Sequence, residues 1–210
     1  MGDFMRSIKE FLEDLTSSRA SGPAPSFSIF SVFRVLRIIA EEGPIGRGRI
    51  SRESGLGEGG VRTLLRRLSR ADLVSTSRSG CSLTVEGKNF WKRIKESIPH
   101  LSKIDENELT FAEYSFAVQI RGVGEKVRKG LEQRDAAVRA GAKGAVTMVY
   151  KNKNLALPGL TDDVSHSFPK AYRQITSLMN LRENDVVIIA CADTMENAEY
   201  GALAATWTLI

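Results

Sequence analysis

The spacing of apolar positions changes several times along the chain, and each change predicts an element. Phe4, Ile8, Phe11, Leu12 and Leu15 recur at three- and four-residue intervals over residues 3–16, which predicts an amphipathic helix. Such a stripe must be covered, either by its own domain or by a second subunit. Thr16 to Ser26 is rich in Ser, Gly and Pro and reads as a linker. Residues 28–42 carry Phe30, Phe33, Val35, Leu36, Ile38 and Ile39 at helical spacing, with Arg34 and Arg37 on the polar side; Gly43-Pro44 ends that helix. Ile45 to Ser54 predicts a second, shorter helix, and Gly55-Leu56-Gly57 a tight turn. Val61, Leu64, Leu65 and Leu68 then form the buried stripe of a third helix over residues 58–70.

After that helix the helical spacing ends. Asp72 to Arg78 reads as a strand, Ser79-Gly80 as a turn and Cys81 to Thr84 as a returning strand. Val85-Glu86-Gly87 opens a further helix to about Ser97. Around Pro99 the character changes, and residues 102–107 read as a polar connector. Strands are expected at 113–121, 144–150, 155–157 and 185–191, with helices at about 122–140, 168–180 and 195–208. In the first of these helices Val127, Leu131 and Val138 are the expected buried positions. The order β-α-β-β-α-β-α predicts an α+β sandwich, ferredoxin-like or similar.

Charge divides the chain further. Residues 1–104 hold 18 Lys and Arg against 11 Asp and Glu, whereas residues 105–210 hold 12 against 14. A basic half joined to a near-neutral half fits a polyanion-binding module attached to something else. The arginines concentrate on the third helix: Arg62 and Arg66, four apart, share a face away from the leucines, and Arg67 and Arg70 widen it. Gly59 and Gly60 are poor helix formers, but they let backbone N–H groups approach a phosphate.

The helix–helix–helix–hairpin–helix order, with Leu68-Ser69-Arg70, a small Ser-Gly wing and Leu83-Thr84-x-x-Gly87, resembles the winged helix-turn-helix domain of archaeal and bacterial regulators over residues 27–98. The string Gln133-Arg134-Asp135-Ala136-Ala137, Gly141-Ala142-Lys143-Gly144-Ala145 and Leu157-Pro158-Gly159 resembles an archaeal domain of unknown function, DUF4443, over residues 105–210. The division expected is therefore an N-terminal helix and linker (1–26), a winged helix (27–98) and an α+β sensing or dimerisation domain (105–210). The resemblance implies double-stranded DNA as partner. Arg62, Thr63 and Arg66 would face the groove, Glu58 would meet a cytosine amino group, and Gly60, Arg67 and Arg70 would lie at phosphates. Arg78 would reach out from the wing.

Other chemistry finds little support. His100 and His166 have no ligand partner at metal spacing, so no metal site, cofactor or catalytic set is expected. Gly122-Val123-Gly124-Glu125-Lys126-Val127 is an incomplete G-x-G-x-x-G, with Val127 at the third glycine position in a domain too short for a dinucleotide fold, and reads as a strand-to-helix turn. Cys81 and Cys191 are far apart and read as free thiols in a reducing cytoplasm. The N-terminus mixes acids and bases, unlike a signal peptide, and no apolar run is long enough for a membrane span. Gln133, Arg134 and Asp135, with Arg121, Asp193 and Thr194 at strand ends, are the candidates for binding a small-molecule effector; an Arg134–Asp135 salt bridge or a polar subunit contact is the structural alternative. The expected function is a homodimeric DNA-binding transcriptional regulator. The alternatives are a metabolic enzyme with an accessory winged helix and a protein-interaction adaptor.

Overall fold

A computed structural model describes residues 2–16 and 27–210, with the side chains of the first helix described from Ile8 onward. The predicted linker and the Phe4 side chain lie outside the described residues. The chain divides into two compact units, Met1–Lys95 and Glu96–Ile210.

In the first unit, α1 (Gly2–Thr16) is followed by α2 (Ile29–Glu42), α3 (Arg47–Ser54) and α4 (Glu58–Arg70). The stripe on α1 is covered within its own unit. Ile8 and Leu12 are buried, and Phe11 packs on Phe90 with ring centroids 5.4 Å apart. Helix α2 starts at a capping box, in which Ser28 and Ser31 exchange side-chain and backbone bonds. Its buried face runs from Val32 to Ile39. On α4, Val61, Leu64, Leu65 and Leu68 are the buried positions, as their spacing predicts.

The hairpin of β1 (Val74–Ser77) and β2 (Gly80–Leu83) is joined by the two-residue turn Arg78-Ser79. Two backbone bonds between Ile45 and Cys81, 3.0 and 2.8 Å long, fasten it to the segment ahead of α3. Gly80 makes this approach possible: a Cβ there would lie 2.7 Å from the Ile45 backbone, and its φ is +129°. The Leu-Thr-x-x-Gly motif has an equally local cause. Thr84 Oγ1 accepts the Gly87 N–H at 2.9 Å, starting α5 (Val85–Ser97), and donates to the Asp72 carbonyl. Gly87 itself sits against Leu73, where a Cβ would come within 2.0 Å of the carbonyl oxygen.

The second unit contains β3 (His100–Lys103), β4 (Tyr114–Ile120), α6 (Leu131–Arg139), β5 (Gly144–Lys151), β6 (Asn154–Ala156), α7 (Val164–Ser167), α8 (Pro169–Leu178), β7 (Val186–Ala192) and α9 (Met195–Trp207). Strand β3 is not expected from the sequence; it begins at His100 and takes in only the first two residues of the expected connector. The five strands lie in the order β3-β4-β7-β5-β6, every pair antiparallel. The α+β character agrees with the sequence, but the order does not. In a ferredoxin-like sheet the first and third strands of the β-α-β-β-α-β run lie at the centre, whereas here the second and fourth, β5 and β7, do so.

Both faces of the sheet are covered. Ala117, Met148, Val187, Ile189 and Cys191 pack with Ala171 and Ile175 of α8. The alternate residues, including Phe116, Val118, Ile188 and Ala190, face α6 and α9. Every residue of β7 is consequently buried.

The helix expected over 122–140 is shorter than predicted. A one-turn 3₁₀ segment, Gly124–Lys126, is followed by a left-handed Gly130, and α6 starts only at Leu131. Gly124 is held there by close packing: a Cβ would fall 2.6 Å from a Val149 methyl carbon. The phase of α6 is also the reverse of the expected one. Gln133, Ala136 and Ala137 point inward, while Leu131 and Val138 are 50% and 48% exposed. The cause is the close approach of α9. A Cβ on Gly201 would lie 2.5 Å from Ala142 Cβ and 3.5 Å from Ala137 Cβ, so only small residues fit between the helices.

Two glycine substitutions should separate these packing constraints from helix propensity. Gly87→Ala forces a methyl into the Leu73 backbone and should cost about 1–3 kcal/mol. Gly59→Ala enters open space on α4 and should be neutral or stabilise by up to about 1 kcal/mol, because alanine favours the helix. Chemical denaturation of the two variants checks both; a stable Gly87→Ala protein would reject the close contact.

Candidate nucleic-acid interface

At about 100° per residue, the buried stripe of α4 leaves an outward face centred on Gly59, Thr63, Arg66 and Arg70, with Arg62 on one flank and Arg67 on the other. Arg62, Arg66 and Arg70 are exposed and Thr63 is half-buried. Among the described residues, none of these three arginines forms an ion pair with a carboxylate. Arg78 stands exposed at the hairpin turn, also without an acidic partner among the described residues.

Arg67 departs from the expected phosphate role. Its guanidinium donates to the Leu15 carbonyl at the end of α1 and lies 5.4 Å from the centroid of the Phe27 ring. On the helical wheel it borders Leu64, so its side chain reaches α1 more readily than open solvent. It fastens α1 to α4.

The first turn of α4 has no side-chain cap, since Gly57 occupies the N-cap. Gly60, half-buried, lies in that turn. Glu58 shares a surface cavity of about 280 Å³ with Arg47, Gly48, Val61 and Arg62. Arg47 and Arg52, which the sequence reading passed over, are exposed on α3 without acidic partners among the described residues. The contrast with Arg49 is instructive. Arg49 sits 2.5 Å from Glu53 and 2.8 Å from Glu42, and the Glu53 hydrogen bond, then the two carboxylate charges, push its pKa further up. The signal in the sequence was carboxylate spacing. Arg49 has Glu53 four residues on, and neither Arg47 nor Arg52 has an acidic residue at that spacing.

The six residues expected to gather around an effector do not converge. Arg121 and Asp193 follow the ends of β4 and β7, and those strands are antiparallel with Ile120 beside Val186 and Tyr114 beside Ala192. Seven residues of strand, about 20 Å, therefore separate the two ends of the sheet where they lie. Arg121 is committed to Asp185, with Nη1 2.5 Å from Oδ2 and 2.8 Å from the Asn180 carbonyl oxygen. Asp185, 1% exposed, also accepts from Gln119 Nε2 at 2.8 Å and from the backbone N–H groups of Arg182 and Gly122 at 2.8 and 3.3 Å. Gln133 points inward and donates to Thr208 Oγ1 at 2.6 Å. Arg134 and Asp135 pair with each other on the surface, at 2.8 Å. Asp193 is exposed and pairs with Lys143 at 2.6 Å, and Thr194 caps α9 by accepting the Asn197 N–H.

Comparison with known proteins follows the same two-part division. The family model described as the N-terminal domain of PH0730-like proteins matches residues 32–89. The model described as a domain of unknown function, DUF4443, matches residues 111–209, in agreement with the resemblance drawn from the sequence. Among solved structures, the chain is similar to hypothetical protein PH0730 from Pyrococcus horikoshii OT3, with 26% identity over 88% of this chain and 93% of that one, and a TM-score of 0.72. NadR in complex with 4-hydroxyphenylacetate is 20% identical over 45% of this chain and 65% of its own, with a TM-score of 0.32. An IclR family transcriptional regulator from Brucella abortus is 9% identical over 95% and 98%, with a TM-score of 0.31. No curated protein matches. No helix among the described residues is long and apolar enough to cross a membrane.

The two Arg–Asp pairs differ enough to be told apart by stability. Arg121→Met leaves the buried Asp185 carboxylate without its cation and should cost about 3–5 kcal/mol. Arg134→Met breaks a pair whose members are 52% and 50% exposed, and should cost less than about 1 kcal/mol. Urea denaturation of both variants measures the difference; equal losses would contradict the assignment of Asp185 as the buried hub.

Proposed function

We propose that the chain is a DNA-binding transcriptional regulator, with the first unit a winged helix-turn-helix whose α4 enters the major groove and whose hairpin is the wing. The observation that carries this reading is the outward face of α4, where Arg62, Arg66 and Arg70 stand exposed with no carboxylate to neutralise them among the described residues. Arginine on a groove helix is suited to bidentate contact with guanine. Arg47 and Arg52 on α3 and Arg78 on the hairpin would meet phosphates on either side, giving affinity that falls steeply with salt. Glu58, which forms no ion pair among the described residues, would accept from a cytosine amino group.

The second unit is proposed as the part that dimerises and senses a small molecule, with no catalytic step. The residues chosen from the sequence for an effector are occupied elsewhere. Two surface cavities flanking α8 are better places for one. The first, about 490 Å³, is lined by Tyr150 and residues 176–181. The second, about 590 Å³, is lined by Asp105, Glu106, Lys170, Arg173, Gln174 and Ser177.

The test is binding of the full chain to duplexes selected from genomic DNA, followed by fluorescence anisotropy. Arg62→Ala plus Arg66→Ala should fold normally and lose about 1–3 kcal/mol of binding for each arginine that reads a base. Arg67→Ala should instead lower stability through the α1 contact. A folded double variant that binds as tightly as the parent would reject the groove assignment.

A further inference from the structure

Helix α6 is inside out by composition. Its packed side holds Gln133, Ala136 and Ala137, and its solvent side holds Leu131 and Val138. At 100° per residue, Leu131 and Val138 fall within about 20° of each other on the wheel, directly opposite the packed side. Arg134 and Asp135 lie on the two flanks of that apolar line, and their side chains meet over it, with Nη2 2.8 Å from Oδ1. The outward leucine and valine stand two turns apart on one helix face. Singly exposed apolar residues need no explanation; here two are aligned and flanked by opposite charges.

The charges indicate what covers it. We infer that α6 packs against α6 of a second copy of this chain, parallel, about a two-fold axis running nearly along the helix. A two-fold contact requires that each residue's partner find the reciprocal residue on the other copy. Rotation about an axis along the helix exchanges its two flanks. Arg134 of each copy then stands over Asp135 of the other, while Leu131 meets Leu131 and Val138 meets Val138. The two intrachain pairs become a ring of four alternating charges around an apolar seam. An antiparallel pairing places Arg134 opposite Arg134 and Asp135 opposite Asp135, so charge selects the parallel arrangement. This surface is independent of the nucleic-acid reading, because none of its residues lies in the first unit.

Sedimentation of the full chain without DNA tests the inference. The parent protein should be dimeric at tens of micromolar. Arg134→Glu places like charges together twice across the two-fold, so dimer dissociation should rise about tenfold or more. The exchanged variant, Arg134→Asp with Asp135→Arg, rebuilds the ring in reverse and should restore dimerisation. Leu131→Cys in a full chain should form a disulfide-linked dimer under mild oxidation, since the parallel arrangement sets that position against itself. A monomeric parent overturns the inference. So does an Arg134→Glu protein that dimerises like the parent, or an exchanged variant that stays monomeric. DNA binding by the same variants, measured separately, reports on the groove face and leaves this result unaffected.

Discussion

One buried carboxylate sets the geometry of the second unit. Asp185 lies immediately before β7 and accepts hydrogen bonds from Gln119 and Arg121 of the neighbouring strand region and from the backbone of Gly122 and Arg182. A carboxylate removed from water is tolerable only when its lone pairs are met and its charge is balanced. Meeting those conditions fixes where β4 ends, how the chain turns at Gly122 and where β7 begins. The register of the sheet's centre follows from that, since Ile120 must then lie beside Val186. With the register set, alternate residues of β7 supply one apolar face to α8 and another to α6 and α9.

Among the described residues of the first unit, no carboxylate is buried as Asp185 is. This unit is held by an apolar helix bundle and by backbone joints at its margins: the Ile45–Cys81 bridge, the Thr84 clasp and the Arg67 tether. Each joint controls the position of something at the surface. The bridge places the hairpin, the clasp places α5, and the tether holds the far end of α1 against α4. The arginines that face solvent are thus presented by a frame whose fastenings lie on the opposite side or at the edges.

Much of this was legible in the sequence where a single period operated. The stripe on α4 and the inward positions of α2 follow from 3.6-residue spacing, and the hairpin was legible from its small residues, although the turn is Arg78-Ser79 and Gly80, expected in the turn, opens β2. The reading failed where packing distance, rather than apolarity, chose the inward side. On α6 the close approach of Gly201 admits only Ala136 and Ala137, so Leu131 and Val138 are turned out and Gln133 is turned in. Effector candidates were chosen for lying at strand ends, but strand ends become neighbours only after the order of the sheet is known. Arg121 and Asp193 stand at opposite ends because β4 and β7 run antiparallel. Arg67 looked like one more basic residue because its partner, the Leu15 carbonyl, belongs to the backbone and carries no sequence signal.

The central place of β7 bears on how the second unit is assembled in time. Strands β4 and β5 do not touch each other, and both bond to β7, which begins at Val186, long after β4 ends at Ile120. Until β7 arrives, β4 and β5 each present an unpaired backbone edge, and closing the gap requires contacts between residues distant in the chain. Such topologies fold slowly and leave edges open to foreign strands in the interval. During synthesis, the ribosome therefore releases two antiparallel strand pairs, three helices and two waiting edges before the strand that joins them, and this is the period in which a chaperone would have most to protect.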